Sequence, residues 1–450
     1  PAAKPVWEKF FAVMVPMFRN HPNMFGYHLA NEPHWSKSHK SKYFYIKYRK
    51  YLQNKYKTIA ALNKAWDKTY KNFDEIKSHP MPEKAYQDLT GNKCEWNDFC
   101  TFNQERVTDF FKFMHAQIKK YHPEARTYIK TSNSPTILGR RSASRFFLMN
   151  KRNPPDAPLK FSRHCNGIDR EALTDILEIN GCDTSVNLSP HYVVRSIYNN
   201  TPEMYALCWL EQSLAFDFMK SLAPDKLLLD DEWHAQSTVF FRDYKLPPEY
   251  MELSLWLGHL HGMGANEIWH WGRSPHGRRL KKDLIDSFCM QPVTMNTYYH
   301  GMLQLNALSK EVVALAETPK QIRLLYSEPS AIIDQDFLDA NLAAYQAAYF
   351  HGQAVGYITE RQLIKNDIPK DCKLLIVPHV KYASNNTVAR LKQFASQGGK
   401  ILFIGKDNLA FNHDVIARDK SALEFMKNQT CIPAMHPKKL HDEAAKLVHK

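Results

Sequence analysis

What most restricts the fold of this chain is an alternation. Short apolar runs recur between much longer amphipathic stretches: "MFGYHLA" (Met24–Ala30), "ARTYIKTSN" (Ala125–Asn133), a run near Cys182–Leu188, "KLLLDDE" (Lys226–Glu232) and "ANEIWHWG" (Ala265–Gly272). Helical spacing of apolar residues fills the gaps, as in "VWEKFFAVMVPMF", "SKYFYIKYRKYLQNKYKTIAALNKAWDKTY", "CEWNDFCTFNQERVTDFFKFMHAQIKKYHP", "MYALCWLEQSLAFDFMKSLAP" and "PPEYMELSLWLGHLHGMG". Strands separated by a helix cannot close as hairpins. They pair in parallel through helical crossovers, which makes the class α/β. Polar residues gather just after each apolar run. A (β/α)8 barrel presents its site in this way, above the carboxyl ends of its strands. An open dinucleotide-binding sheet would show a glycine-rich phosphate loop after its first strand, and none is present.

The pattern changes after "MNTYYHGMLQLNALSKEVVALAETP". From about residue 318 come the β-rich runs "QIRLLYSEP", "KLLIVPHV" and "KILFIGK", with the helical "NLAAYQAAYFHG" and "NTVARLKQFASQGG" between them. The expectation is therefore a barrel-type region over 1–317 and a smaller flavodoxin-like α/β domain over 318–450. The latter has no nucleophile turn of the G-x-S-x-G or G-x-C-x-G kind and reads as a packing or oligomerisation module.

Composition excludes more than it assigns. Lys+Arg exceed Asp+Glu to give a net charge of +14, but the positives are scattered over solvated helix faces and no nucleic-acid motif occurs. No apolar run is long enough to span a membrane. The eight cysteines are dispersed, with no CxxC pair and no zinc-ligand spacing. His191, His234 and His270 fall near strand ends, but without H-x-H or H-E-x-x-H spacing they read as ordinary hydrogen-bonding histidines, and no metal or cofactor is expected.

Two of the apolar runs end on a carboxylate: Glu32, in "HLANEPHW", and Glu232, in "LLLDDEW". Singly, each would pass as a helix cap or a surface charge. On two strands of one barrel they form the pair that glycoside hydrolysis requires, one carboxyl to protonate the leaving oxygen and one to attack or to activate water. Asp230 and Asp231 adjoin Glu232 and stay as rivals for its role. Strand alternation puts Asp230 and Glu232 on one side.

The stretch "YLQNKYKTIAALNKAWDKTYKNFDEI" (Tyr51–Ile76) resembles the region after the acid/base strand in β-galactosidases of glycoside hydrolase family 42. "NEP" and "ANEIWHWGR" are similar to strand ends of the same retaining (β/α)8 clan. The resemblance implies that Glu32 is the general acid/base, Glu232 the nucleophile, and Asn31 a ligand of the sugar 2-hydroxyl. It gives Tyr192, in "SPHY", a positioning role, with a plain core residue as the alternative. It makes Trp271 an aromatic platform under a sugar face, Trp269 sharing that side. His34 and Trp35 either line subsites or belong to an exposed loop. The resemblance also implies that the domain from 318 serves trimerisation. It places Glu32 on the fourth barrel strand, so the first three strands are expected to be missing ahead of it, and a small β domain after the C-terminus. The activity expected is retaining hydrolysis of terminal β-galactosides in an oligo- or polysaccharide. A related hydrolase for anionic or sulfated galactans is the second reading, prompted by the positive balance and the basic insertion Arg140–Arg163. A carbohydrate-binding protein without turnover is the third.

Overall fold

The computed structural model describes residues 3–35, 38–77, 92–132, 166–184, 209–233, 248–268, 291–433 and 437–448. Helix α1 (Lys4–Phe18) starts with proline in its first turn, where the missing N–H costs no intrahelical bond. It leads into β1 (Tyr27–Asn31). The helical stretch after β1 is broken into α2 (Phe44–Tyr56) and α3 (Ile59–Trp66). The break falls at Lys57, in left-handed φ, and at Thr58, whose hydroxyl caps α3 by accepting the Ala61 N–H.

The long α4 (Lys93–Tyr121) is capped by Asn92, which accepts the Glu95 N–H. It returns the chain to β2 (Thr127–Ser132). Then follow α5 (Arg170–Ile176), β3 (Ile179–Asp183), α6 (Trp209–Leu222), β4 (Leu227–Trp233), α7 (Pro248–Leu260) and β5 (Met263–Ile268). All five strands pair in parallel in the order β1-β2-β3-β4-β5. The third strand stops at Asp183, short of the expected Leu188, and 185–208 lie outside the described residues.

Two cores flank this sheet. Phe11 and Val15 of α1 pack on Val107, Phe111 and Met114 of α4, beneath Ile129 of β2. On the other face of the strands lies a small cluster of Tyr128, Ile179 and Leu229. Gly181 is where β2 and β3 meet most tightly. A Cβ there would sit 2.4 Å from the Ile129 carbonyl oxygen.

Helices α8 (Pro292–Ala307) and α9 (Ser309–Ala316) connect to a second parallel sheet. It runs β6 (Ile322–Tyr326), α10 (Glu328–Ile333), α11 (Gln335–Ala348), β7 (Val355–Thr359), α12 (Glu360–Asn366), β8 (Leu374–Pro378), α13 (Asn385–Ser396), β9 (Lys400–Ile404), β10 (Thr430–Ile432) and α14 (Pro437–Val448). The strand order β7-β6-β8-β9-β10 is the 2-1-3-4-5 arrangement of flavodoxin-like sheets. Its strands β7 and β10 were not among the runs singled out in the sequence.

The hydrophobic core does not stop between the sheets. Phe216, Phe218 and Met219 of α6 belong to one cluster with Leu324, Tyr345 and Tyr357. Polar contacts fix the same seam. The buried Asp217 carboxylate accepts the Tyr345 hydroxyl at 2.6 Å and pairs with His261 at 2.8 Å, while Ser221 Oγ accepts the Tyr357 N–H. Among the described residues no helix is long and apolar enough to cross a membrane, and Cys94, Cys100, Cys182, Cys372 and Cys431 are free thiols.

Candidate active site

Both glutamate-bearing strands lose regular pairing where their carboxylates emerge. In β1 the register against β2 shifts between His28 and Asn31, and Glu32 follows with a φ of +41°. A non-glycine residue in that region is strained and is found where a side chain must be aimed. The Glu32 N–H still reaches the Lys130 carbonyl of β2 at 3.0 Å, so the backbone is held while the exposed side chain is turned. In β4 the register against β5 shifts between Asp230 and Trp233, across Asp231 and Glu232. Such irregularities redirect side chains that simple alternation would place elsewhere.

The shift separates the three consecutive acids. Asp230 is 0% exposed, and its Oδ1 takes the backbone N–H of Thr184 at 3.3 Å. The Asp231 side chain is 3% exposed and stands 3.4 Å from His28 Nδ1. The Glu232 side chain keeps 14% exposure, which leaves it the most open of the three to a substrate.

The group that organises this edge is Lys130. Its side chain is fully buried, and its Nζ pairs with Glu232. A lysine is almost never buried without a counter-charge. Lys130 therefore ties the two strand ends together: its carbonyl receives the Glu32 N–H, and its Nζ meets the Glu232 carboxylate. It also bears on the titration of its neighbours. Burial drives the Asp230 carboxyl well above the usual range, helped by Asp183 and opposed by Lys130. Burial, together with a hydrogen bond and charge from Glu267 of β5, raises Asp231 to about 7, with Lys130 again opposing. His28 is lowered, first by burial and further by Lys130. Its ring stacks on Tyr128 at 4.8 Å, nearly parallel. Burial and the charges of Asp231 and Glu267 raise the Tyr128 hydroxyl. Two carboxyls raised by burial and an imidazole lowered by it thus lie close to the buried Lys130.

The structure brings some expected residues together and not others. Asn31, Glu32 and His34 lie exposed at the end of β1, around a buried Pro33. Trp35 is half buried, with its ring against Phe110 and Phe111 at 6.1 and 5.4 Å. Tyr192, Trp269 and Trp271 lie outside the described residues. Lys130, His28, Tyr128 and Glu267 were not read as site residues from the sequence. The signal was present in "TYIKTSN": a lysine two positions from a tyrosine, on the same face of a strand.

The candidate site is thus a parallel α/β scaffold with glutamates at the ends of two strands, one of them against the buried Lys130. Among known proteins, residues 3–139 match the model of glycoside hydrolase family 42, described as Beta-galactosidase. A stretch of 111 residues is 30% identical to the β-galactosidase BglY of Alicyclobacillus acidocaldarius, covering 24% of this chain and 15% of that protein. The apo exo-carrageenase GH42 from Bacteroides ovatus is similar over the whole chain, with a TM-score of 0.77 and 26% identity, and 58% of that chain is covered. A β-galactosidase from Rahnella sp. R3 shares the fold with a TM-score of 0.67 at 16% identity, over 93% of this chain and 56% of that one. The chain thus spans somewhat more than half the length of these solved relatives and a small part of the curated one.

Proposed function

We propose that this chain supplies the catalytic carboxylates of a retaining glycoside hydrolase that removes terminal β-galactosyl groups by double displacement. In this reading the first sheet is the latter part of a (β/α)8 barrel, Glu32 is the general acid/base and Glu232 the nucleophile. The second sheet is an oligomerisation domain, with a trimer as its assembly. The pairing of Glu232 with the buried Lys130 is the observation that carries the reading. A nucleophile must be ionised before attack, and an adjacent ammonium in a dry site favours the anion.

In the first step Glu32 donates its proton to the departing oxygen while the Glu232 carboxylate bonds to the anomeric carbon. That bond consumes the negative charge of Glu232. Glu32, now ionised, takes a proton from water as the water attacks, and Glu232 is released. Asn31 stands beside the acid, where an amide can hold the sugar 2-hydroxyl. The test is Glu232→Gly on a chromogenic β-galactoside. Turnover is lost, and azide, small enough to occupy the vacated space, restores it with formation of a galactosyl azide. Activity that survives the substitution, or azide rescue seen only with Asp231→Gly, would move the nucleophile.

One observation favours a second substrate class. The exo-carrageenase matches the whole chain at 26% identity, whereas the Rahnella β-galactosidase matches 93% of it at 16%. With a net charge of +14, an anionic or sulfated galactan is the alternative substrate. Rates on neutral and sulfated galacto-oligosaccharides separate the two, and equal rates remove this alternative.

A further inference from the structure

The second sheet carries a group of side chains that hydrolysis does not use. Strands β6 and β8 are neighbours, but the chain leaves β6 toward β7 on one side and β8 toward β9 on the other. In open parallel sheets the crevice at the carboxyl ends of such a pair is where ligands bind. Here it receives Asp334, the residue between α10 and α11, Asp336 in the first turn of α11, and His379, which directly follows β8. One donor atom from each lies within 4.8 Å of the other two, the one such group among the described residues.

His379 is the telling member. It is 8% exposed, and neither ring nitrogen makes a hydrogen bond. Its Nε2 stands 3.5 Å from Asp334 Oδ2, an ion-pair contact. Its φ is +54°, a strained backbone for a residue with a side chain. The strain is held by the His379 N–H bonding to the Ile404 carbonyl at 2.7 Å. Gly405 makes room for the ring, since a Cβ there would fall 2.3 Å from His379 Nδ1. A buried imidazole without a hydrogen-bond partner calls for an explanation, and a missing ligand is one.

We propose that Asp334, Asp336 and His379 bind a divalent first-row metal ion, with Zn2+ the best fit, at this crevice. One imidazole and two carboxylates are a donor set that suits zinc. Donors about 2.0–2.2 Å from an ion cannot be more than about 4.4 Å apart, and these lie within 4.8 Å of one another, so binding asks for a closure of at most roughly half an ångström. The two carboxylates balance the charge of the ion. Lys381 Nζ, 2.8 Å from Asp334 Oδ2, is the present counter-charge and competes with the metal. Asp334 Oδ1 accepts the Asp336 N–H at 3.1 Å, and a carboxylate retains lone pairs beyond these two contacts. No linear motif announces the site, because two donors come from the junction of α10 and α11 and the third from the end of β8.

The test is calorimetric titration of the chelator-treated chain with Zn2+, and with Co2+ followed by visible absorption. The expected result is one ion per chain. Asp336→Asn, at an exposed helical position, and His379→Ala each weaken binding at least tenfold. Lys381→Met, which removes the competing cation, tightens it. Failure to bind one ion, binding unaffected by both Asp336→Asn and His379→Ala, or weaker binding in Lys381→Met would each overturn the proposal. Circular dichroism of each variant separates lost ligands from lost fold, and Asp336→Asn keeps the test decisive if His379→Ala fails to fold.

Discussion

If Lys130 is the counter-ion of the strand-end acids, replacing it with methionine has a calculable effect. Methionine roughly matches the aliphatic stem and opens no large void, so the packing contribution is small. What remains is charge. Removing one partner of a buried ion pair costs about 3–5 kcal/mol, mostly because the other is left uncompensated. Glu232 keeps 14% of its side-chain surface, so water reaches its carboxylate, which points to the lower end, about 3 kcal/mol. The loss must also depend on pH. Without Lys130 the nearby carboxylates hold protons more tightly, and protonation relieves the repulsion by up to about 1.4 kcal/mol per pH unit and per proton. Lowering the pH from 8 to 5 should therefore shrink the deficit of Lys130→Met by more than half. Urea unfolding followed by tryptophan fluorescence measures it, since Trp233 is fully buried on β4. The double variant with Glu232→Gln should be less destabilised than the sum of the singles. A deficit below about 0.5 kcal/mol, the ordinary scatter of surface substitutions, or one equal at both pH values, would refute the ion-pair argument.

Asp231→Asn tests the neighbouring carboxyl. The native carboxyl holds its proton up to about 7, whereas in the unfolded chain it ionises near 3.9. Between those values the native state binds the extra proton, so stability falls as pH rises through the window. Asparagine cannot titrate. The thermal midpoint of the variant should match the wild type near pH 4 and exceed it increasingly toward pH 7; parallel profiles would sink the assignment. Gly181→Ala places a Cβ 2.4 Å from a backbone oxygen that cannot swing away. A loss of about 2–3 kcal/mol is expected, read as a lower thermal midpoint, and an unchanged midpoint would mean that β2 and β3 can separate freely.

Much of the architecture was legible because periodicity is local. The runs read as ending near Asn31, Glu232 and Trp271 became parallel strands, the last described as far as Ile268, since apolar alternation and helical spacing report burial without reference to partners. Strand β10 escaped notice because "TCI" is only three residues long, whereas "VGYIT" of β7 equals β6 and β8 in length and was legible in the same way. The helix boundary at Lys57 and Thr58 could have been read from the Thr58 cap, yet the apolar spacing runs through it. The site was half visible. A glutamate at a strand end can be seen in a sequence, whereas the charge that faces it cannot.

By itself the sequence determined the α/β class, the parallel pairing, the change of pattern near residue 318 and the two strand-end glutamates, all properties of residues close together in the chain. Only the tertiary structure decided which of Asp230, Asp231 and Glu232 stays accessible, that Lys130 stands against Glu232, and that Asp334 and His379 meet across two strands. The physical reason is that burial and charge depend on distance through space. Register shifts of a single residue, which no local pattern encodes, choose the side chains that share it.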